Sequence, residues 1–317
     1  MDIHQILLVG TGNMATEYAR VLKLLKKSFL AVGRGEESAL SFQKATGVSA
    51  ARGGIKNWLR DNAYKLPSTA IIAVDEEQLG PVARMLIQYG VKSVLLEKPG
   101  GLDANDIKET KKIADKSGAK VFIAYNRHFY ASVIKTKEFI KKDGRVNSFN
   151  FDFTERSDRI VKATFSANVK KNWLLANSSH VIDLAFFLGG KPKKIKCFTA
   201  GGLGWHPKAS IYAGAGISEN GALFSYHANW ESAGRWGVEI LTPKRKLILR
   251  PLEKLSIQNK GSFVMEEVLL NDKLDIDFKP GLYFQVKSFL SSKSNLLTIQ
   301  EQVKNLKYYD LIGKNHS

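Results

Sequence analysis

The first 125 residues alternate short, continuously apolar runs with stretches whose apolar residues recur at helical spacing. The apolar runs are residues 6–9, 29–32, 71–74, 94–96 and 121–124, and segments such as 79–87 and 107–114 between them have a helical period. Strands of a parallel sheet are apolar throughout because helices cover both of its faces. The pattern therefore predicts an α/β domain built on a doubly wound parallel sheet.

The remainder of the chain has a different pattern. Apolar and polar residues alternate along 149–153, and six further segments have strand character: 195–199, 222–228, 238–241, 246–249, 255–258 and 262–268. A helix is expected over 178–188, and two helical stripes lie within 282–290 and 303–312. Short links between alternating strands favour a mainly antiparallel, open sheet. We expect domains at 1–125 and 126–317, the second α+β, with its C-terminal helices packing back toward the first.

Composition sets the broad class. The chain has 317 residues, 44% apolar and 25% charged, which suits two globular domains and excludes a disordered chain. The lone Cys197 cannot form an intrachain disulfide. No apolar run is long enough to cross a bilayer. Residues 1–5 place no basic region ahead of the first apolar run, so we expect no secretory signal and a cytoplasmic location.

The charge balance raises the question of a polyanionic partner. The formal net charge is +18, from 48 Lys and Arg against 30 Asp and Glu. These basic residues are spread along the chain in short clusters without interleaved aromatic residues, and no nucleic-acid-binding signature occurs. We expect a basic, solvated surface with neither nucleic acid nor membrane as a partner.

A glycine-rich turn stands directly after the first apolar run. The segment 9–15 reads Val-Gly-Thr-Gly-Asn-Met-Ala and opens a helix. Gly10 permits a tight turn, Gly12 lets the backbone approach a pyrophosphate, and the helix N-terminus attracts the phosphate charge. This predicts a dinucleotide-binding Rossmann domain, with Gly10, Gly12, Asn13 and Met14 at the cofactor. The alternative is a turn that serves packing alone.

The end of the second apolar run indicates which nicotinamide cofactor is bound. NAD sites usually place an acid there to hold the ribose 2′-hydroxyl. Here Gly33 and Arg34 follow Val32, and Glu36 and Glu37 suit the first turn of the next helix. An arginine can pair with a 2′-phosphate. We favour NADP(H), with NAD(H) possible; the alternative for Arg34 is an exposed loop charge.

A lysine follows the fifth predicted strand, in the segment 96–100, Leu-Glu-Lys-Pro-Gly. Ligands of open α/β sheets bind at the carboxyl ends of the strands. A lysine at that edge can donate to a reacting oxygen and lower the cost of a negative charge on it. Without further context, Lys98 could equally be a surface lysine.

Together these motifs resemble the Gfo/Idh/MocA (glucose-fructose oxidoreductase / inositol dehydrogenase) superfamily. The glycine turn, Glu97-Lys98-Pro99, Tyr125-Asn126-Arg127, the segment 180–183 and the helix after Pro280 occur in that family's order and spacing. The resemblance implies that Lys98 and His180 are catalytic, with His180 as general acid/base, and that Glu97 supports the lysine and the cofactor. It also implies that Tyr125, Asn126 and Arg127 face the substrate. Asp183 could orient the ring of His180 or serve packing.

The chain departs from the family at several places, including the Gly-rich stretch before the histidine, which is reduced to Leu-Leu-Ala-Asn at 174–177. Many members carry an Asp four residues before the histidine, where this chain has Ala176, followed by Asn177. Asn177 could take a hydrogen-bonding role, or the proton relay differs. The usual Thr-Pro-Asn after the fourth strand is replaced by Val74-Asp75-Glu76, which leaves the nicotinamide contact of Val74 open. Trp173 could stack on a sugar ring, although packing is the commoner role.

The resemblance implies an NADP(H)-dependent oxidoreductase that acts on a CH–OH group of a sugar, cyclitol or sugar-nucleotide-like substrate. Two alternatives stay open: a glycosidase-like or eliminating enzyme that retains its nicotinamide, and a non-catalytic NADP sensor or scaffold. His206 and His227 stand apart from other metal-ligating residues, so no metal site is expected. An exposed sheet face makes a homodimer or homotetramer plausible, as in the family.

Overall fold

The computed structural model describes residues 6–291 and 295–314. The chain divides into two compact units, one made of residues 1–125 and 277–304 and the other of residues 126–276 and 305–317. Residues 1–5, on which the expectation about a secretory signal rests, lie outside the described residues. Helices and strands are numbered below along the chain.

The first unit contains a seven-stranded sheet that is parallel except at one edge. Its strands are β1 (Ile6–Val9), β2 (Phe29–Val32), β3 (Ala50–Ala51), β4 (Thr69–Ile72), β5 (Ser93–Glu97), β6 (Lys120–Ala124) and β15 (Leu297–Thr298). The spatial order is β15-β6-β5-β4-β1-β2-β3, and β15 pairs antiparallel with β6. The predicted doubly wound sheet is confirmed. The fourth strand ends at Ile72, two residues before the end of its apolar run, which leaves Val74 in the loop at the carboxyl edge.

Helices connect these strands in the alternation that the sequence predicts. They are α1 (Asn13–Leu24), α2 (Glu36–Thr46), α3 (Gly54–Asn62), α4 (Glu76–Gln88), α5 (Ala104–Ser117) and α11 (Leu282–Phe289), with α12 (Ile299–Ile312) crossing the division between the units. A short 3-10 helix spans Ala63–Lys65. Glu36 and Glu37 occupy the first turn of α2, as expected, where the helix dipole favours negative charge.

The second unit is built on an eight-stranded sheet. Its strands are β7 (Ser148–Asp152), β8 (Pro192–Ala200), β9 (Ile211–Ser218), β10 (Leu223–Asn229), β11 (Gly237–Leu241), β12 (Arg245–Leu249), β13 (Ser256–Asn259) and β14 (Met265–Glu267). The order is β14-β13-β12-β11-β7-β10-β9-β8, and every pairing is antiparallel except that of β7 with β10. The predicted mainly antiparallel sheet is confirmed.

Strand β9 was not expected, because its sequence carries two glycines, which strands disfavour. The structure gives the reason for the glycines. A Cβ atom on Gly214 would lie 2.4 Å from Cζ of Tyr226, and one on Gly216 would lie 2.5 Å from Cζ of Phe224. The aromatic rings of β10 occupy the space that side chains of β9 would need, so aromatic packing outweighs strand propensity here.

Helix α9 (Ser179–Gly189) forms the core of the second unit against this sheet. The other helices are α6 (Ala131–Asp143), α7 (Ser157–Lys162), α8 (Ala167–Lys171) and α10 (Lys273–Asp277), with a 3-10 turn at Asn126–Phe129 and a π-helical turn at Leu174–Ser178. The ring of Phe186 meets the ring of Phe151 edge-on at 5.5 Å. A Cβ on Gly189 would lie 2.3 Å from the ring of Phe149, so the helix end can lie this close to β7 only with glycine.

Two expected elements differ in their extent. The helix predicted over 178–188 begins at Ser179 and is preceded by the π-helical turn, because side chains of that turn bond to a buried carboxylate described below. The strand predicted over 262–268 is reduced to β14. Within residues 6–291 and 295–314, no helix is long and apolar enough to cross a membrane.

Candidate active site

The glycine turn joins β1 to α1 at the carboxyl edge of the first sheet. Gly10 has a φ of +119°, and a Cβ atom there would lie 2.1 Å from the carbonyl oxygen of Ala73, so only glycine fits. Gly12 is the N-cap of α1, no side chain caps the helix, and a Cβ on Gly12 would meet no atom within 4 Å. The first-turn N–H groups of Asn13 and Met14 thus lie beside open space. This arrangement fits the pyrophosphate of a dinucleotide.

Arg34 lies beyond the end of β2 and reaches across to the loop before α4. Its Nη2 lies 2.8 Å from Oδ2 of Asp75, and both side chains are largely exposed. Glu36 pairs in turn with Arg52, which follows β3. Exposed pairs of this kind contribute little to stability. Arg34 therefore remains accessible to a stronger anion at the sheet edge.

Glu97 ends β5 and is tied to α1. The hydroxyl of Tyr18, a fully buried side chain, donates a 2.6 Å hydrogen bond to Oε1 of Glu97 and lies 3.3 Å from Oε1 of Gln285. Burial raises the pKa of Glu97 above its ordinary value, while the Tyr18 hydroxyl and the charge of Lys98 oppose the rise. Burial and the neighbouring Glu97 raise the pKa of Tyr18. The hydrogen bond from the buried Tyr18 thus fixes the carboxylate of Glu97 next to Lys98.

The turn that carries Lys98 is fixed from the C-terminal segment of the same unit. Lys98 follows β5 directly, is partly exposed, and is joined to Pro99 by a cis peptide bond. The amide nitrogen of Gln302 donates to the carbonyl oxygen of Pro99 at 2.9 Å and to the hydroxyl of Tyr125 at 3.1 Å. Gln302 and Tyr125 are both buried. A rigid turn therefore presents the lysine at the edge where ligands of such sheets bind.

In the second unit, the 3-10 turn after Asn126 lies against α9. Nε2 of His128 lies 2.5 Å from Oδ2 of Asp183, both side chains are buried, and the ring of His128 stacks on that of Phe187 at 3.8 Å. The carboxylate of Asp183 is thus engaged by His128, a residue that the sequence did not single out. Asn126, at the start of the turn, is buried as well.

His180 and Arg127 both lie next to Trp236. The ring centroids of His180 and Trp236 are 6.2 Å apart, and the Arg127 guanidinium carbon lies 4.9 Å from the centre of the indole. Trp236 is partly exposed. His180 is buried and is the second residue of α9. Two of the predicted residues are therefore brought together by an aromatic side chain that the sequence analysis did not assign to the site.

Another buried acid of this unit is Glu155, only 6% exposed, just beyond β7. Ser178 Oγ donates to Glu155 Oε1 at 2.6 Å, and Asn177 Nδ2 lies 3.1 Å from both carboxylate oxygens. Burial raises the pKa of Glu155 to about 7, against the opposing effects of these donors and of the Arg127 charge. The indole N–H of Trp173 also favours the ionised form, although it lacks hydrogen-bond geometry.

Trp173 packs within an aromatic cluster. It is 5% exposed, and its ring meets Phe165 at 5.1 Å and Trp205 at 6.0 Å, both edge-on, while Trp205 stacks on Trp230. Little of its surface is left for other contacts. Within the described residues, no group of three or more His, Cys, Asp or Glu side chains has the arrangement of a metal site.

Comparison with known proteins identifies a matching family and solved structures with a similar fold. Residues 4–125 match the oxidoreductase family with an NAD-binding Rossmann fold. No curated protein sequence matches the chain. Solved structures share the fold over nearly the whole chain, at low identity. They include levoglucosan dehydrogenase in complex with NADH and levoglucosan, at 14% identity with a TM-score of 0.78, covering 97% of this chain and 95% of that one.

Two further structures have the same fold. One is an oxidoreductase from Agrobacterium radiobacter in complex with NAD⁺, L-tartaric acid and magnesium, at 13% identity, a TM-score of 0.78, and coverage of 97% and 94%. The other is UDP-N-acetylglucosamine 3-dehydrogenase GnnA from Acidithiobacillus ferrooxidans, at 13% identity, a TM-score of 0.73, and coverage of 97% and 95%. Residues 4–125 therefore match the Gfo/Idh/MocA oxidoreductase family and its NAD-binding Rossmann fold, the family that the sequence resemblance predicted.

Proposed function

We propose that the protein is an NADP(H)-dependent oxidoreductase of a CH–OH group in a sugar, cyclitol or sugar-nucleotide-like substrate. The observation that carries the proposal is the rigid turn at the end of β5, where Lys98 stands beside the half-buried Glu97. A nicotinamide bound at the glycine turn would supply or accept the hydride. Gly10, Gly12, Asn13, Met14 and Val74 belong to the edge that would hold it.

In this reaction Lys98 donates to the substrate oxygen and stabilises its negative charge, the effect for which a fixed cation is most useful. His180 transfers the proton of that oxygen, a general acid/base role for which an imidazole is suited. Trp236, beside His180 and Arg127, offers an apolar face for the C–H side of a sugar ring. Arg127, Asn126, Tyr125 and Asn177 provide polar contacts for its hydroxyls.

The preference for NADP(H) is supported by the charges at the end of β2. No acid follows that strand within Gly33-Arg34-Gly35, and among the described residues the guanidinium of Arg34 pairs only with the exposed Asp75. A 2′-phosphate carries more charge than one carboxylate and binds a guanidinium through two parallel hydrogen bonds. It would therefore displace Asp75 from Arg34.

The test is a screen of sugars, cyclitols and sugar nucleotides for a change in NADPH or NADH absorbance, run in both directions, with Lys98→Met as the inactive control. Turnover that needs Lys98 supports the proposal. Turnover of a glycoside without net oxidation or reduction of a retained cofactor would contradict this proposal. It would support the alternative of a glycosidase-like or eliminating enzyme. Cofactor binding without turnover of any of these substrates would support the alternative of a non-catalytic sensor or scaffold.

We also propose a homo-oligomer that forms through the exposed face of the second sheet, in a cytoplasmic protein whose single Cys197 is a buried thiol. Three apolar side chains on adjacent strands support this interface: Phe198 on β8 is 62% exposed, Leu223 on β10 60% and Ile217 on β9 38%. Light scattering after size-exclusion chromatography should give a dimer or tetramer. Phe198→Lys should dissociate it, whereas Leu40→Lys, at an exposed position on α2, should not.

A further inference from the structure

The contacts of Glu155 determine how the side chain of Asn177 is turned. Asn177 Nδ2 lies 3.1 Å from both oxygens of the Glu155 carboxylate. The next residue of the π-helical turn, Ser178, donates a hydrogen bond from Oγ to Glu155 Oε1. An ionised carboxylate can only accept hydrogen bonds, so it must meet the NH₂ group of the amide and not its carbonyl oxygen. The carboxylate therefore sets the orientation of the amide.

With the amide in that orientation, Oδ1 of Asn177 points away from Glu155 and can accept a hydrogen bond from another group. Its side chain is partly exposed, and its Oδ1 accepts no hydrogen bond from any part of the chain that the structure describes. The residue stands three positions before His180, on the turn that leads into α9. A carbonyl oxygen held in this way is an acceptor for a hydroxyl group, and unlike a carboxylate it carries no charge.

We propose that Glu155 is a positioning residue that selects which atom of Asn177 a ligand meets: the ionised Glu155 makes Asn177 an acceptor for a substrate hydroxyl, and the protonated Glu155 makes it a donor. The chemical class recognised is a polyol or sugar with a hydroxyl next to the reacting carbon. The assignment of that ligand rests on the function proposed above, whereas the coupling of the two side chains does not.

Protonation reverses the hydrogen-bond direction in a defined way. A protonated Glu155 keeps Oε1 as the acceptor for Ser178 and gains an O–H donor on its other oxygen. That donor requires the amide of Asn177 to turn by 180° and accept with Oδ1, which directs the NH₂ group away from Glu155. A group with a pKa of about 7 changes between these states in the neutral range.

The charged and titratable groups on the surrounding elements do not prevent this change. Asp152 ends β7, three positions before Glu155, and pairs with Arg250. Asp183 on α9 pairs with His128. The remaining groups are His180 on α9 and Arg127 on the 3-10 turn, and the charge of Arg127 favours the ionised form of Glu155 without offsetting its burial.

The coupling can be tested without a substrate by NMR of the Asn side-chain NH₂ groups in the whole protein, with Asn177→Ser assigning the Asn177 signals. We expect these signals to shift with a midpoint near pH 7 in the wild-type protein and to be independent of pH between 5.5 and 8.5 in Glu155→Gln. Glu239→Gln is the matched control, because Glu239 also accepts from an Asn amide, Asn150, on the same sheet. Signals of Asn177 that do not move in the wild-type protein would overturn the proposal.

The ligand class is tested by steady-state kinetics on the sugar found in the screen. In the wild-type protein we expect KM to rise below about pH 7 while kcat changes less. Glu155→Gln places an NH₂ group where Asn177 needs an acceptor, so KM should rise about tenfold, the equivalent of one lost hydrogen bond, and lose its dependence on pH. Glu155→Asp should recover part of the pH dependence.

The outcomes separate the two proposals. If no sugar is turned over but the Asn177 signals titrate with Glu155, the proposed function fails and the positioning role stands. If a sugar is turned over and Glu155→Gln has the KM and the pH profile of the wild-type protein, the positioning role fails and the proposed function stands.

Discussion

The hydroxyl of Tyr18 on α1 and the carboxylate of Glu97 at the end of β5 form a 2.6 Å hydrogen bond across 79 positions of sequence. It connects the helix that begins at the glycine turn with the strand that carries Lys98. Tyr18 is fully buried and Glu97 is half-buried, so the bond fixes the acid from its protein side. The two cofactor-side motifs of the sequence are thus one connected structure.

Replacing Tyr18 with Phe should destabilise the protein by about 1–2 kcal/mol, because Glu97 then loses a donor inside the fold. The pKa of Glu97, already raised by burial, should rise further. The penalty should therefore be larger at pH 8, where Glu97 must ionise, than at pH 5. Urea unfolding at both pH values measures it.

The control for this change is Tyr64→Phe, since the Tyr64 side chain is 80% exposed. Its free energy of unfolding should equal that of the wild-type protein at both pH values. A Tyr18→Phe protein with the same stability and pH dependence as the control would show that the bond does not hold Glu97.

The stability of the protein should depend on the ionisation of Glu155. Its folded-state pKa of about 7 exceeds the ordinary value of 4.5, so the folded protein binds more protons than the unfolded chain between these values, and stability falls as pH rises through this window. At about 1.4 kcal/mol per unit, the loss is on the order of 3 kcal/mol and complete above pH 7. Glu155→Gln removes this loss, so its stability relative to the wild-type protein should increase from pH 5 to pH 8.

Glu239→Gln is the comparison for that measurement. Although partial burial acts in the other direction, Lys246 and Asn150 hold the pKa of Glu239 below its ordinary value. The difference between Glu239→Gln and the wild-type protein should then stay constant from pH 5 to pH 8 in urea unfolding. An equally flat difference for Glu155→Gln would contradict the raised pKa of Glu155.

Lys98 should matter for turnover and not for folding. Lys98→Met keeps most of the apolar side chain and removes the charge, so turnover should fall on the order of 100-fold or more. The thermal melt should be unchanged. Lys92→Met, an exposed lysine just before β5, should leave both properties unchanged. Near-normal turnover of Lys98→Met on the substrate from the screen would remove Lys98 from the mechanism.

His180→Asn should lower turnover by roughly 100-fold and flatten the pH profile near neutrality if the imidazole transfers the proton. Combined with Lys98→Met, the loss should be smaller than the product of the two single losses if, as proposed, both groups act on one oxygen. Multiplicative losses measured in the double variant would instead indicate two independent steps.

Arg34→Asp should weaken NADPH binding far more than NADH binding, because it places a negative charge where we expect the 2′-phosphate. Asp75→Asn should have the opposite effect and strengthen NADPH binding, since Asp75 no longer competes for Arg34. Titration of both cofactors by fluorescence or calorimetry measures the two changes. Arg60→Asp, at an exposed pair elsewhere in the same unit, is the control for general charge effects. Equal losses for both cofactors would reduce Arg34 to a loop charge.

The features of the first unit that the sequence predicted are those that depend on neighbouring residues. The apolar period indicates β5, and the motif at its end places Glu97 and Lys98 at the sheet edge, where the structure has them. The helical spacing of Tyr18 with Val21 and Leu22 in α1 indicates only that the side chain is buried. Its hydroxyl is satisfied by Glu97 and lies near Gln285, which are far away along the chain, and no local pattern reveals such partners.

The second unit shows where a signal was present but not used. The alternation that buries Phe149, Phe151 and Phe153 directs the next odd position, Glu155, to the same side. An acid at that position requires buried donors, and Asn177 and Ser178 supply them. Trp236 offers no comparable signal, because its place beside His180 depends on how β11 pairs with β7.

The cofactor-binding unit takes its residues from both ends of the sequence. Its sheet edge β15, and the Gln285 and Gln302 side chains that contact Tyr18 and Pro99, come from residues 277–304. The glycine turn is therefore synthesised early. The first unit, however, cannot be completed until residues 126–276 and then 277–304 have been synthesised. During translation the dinucleotide fold lacks its last strand until residues 277–304 have been made, so nucleotide binding should mature only after residues 126–276 have been synthesised.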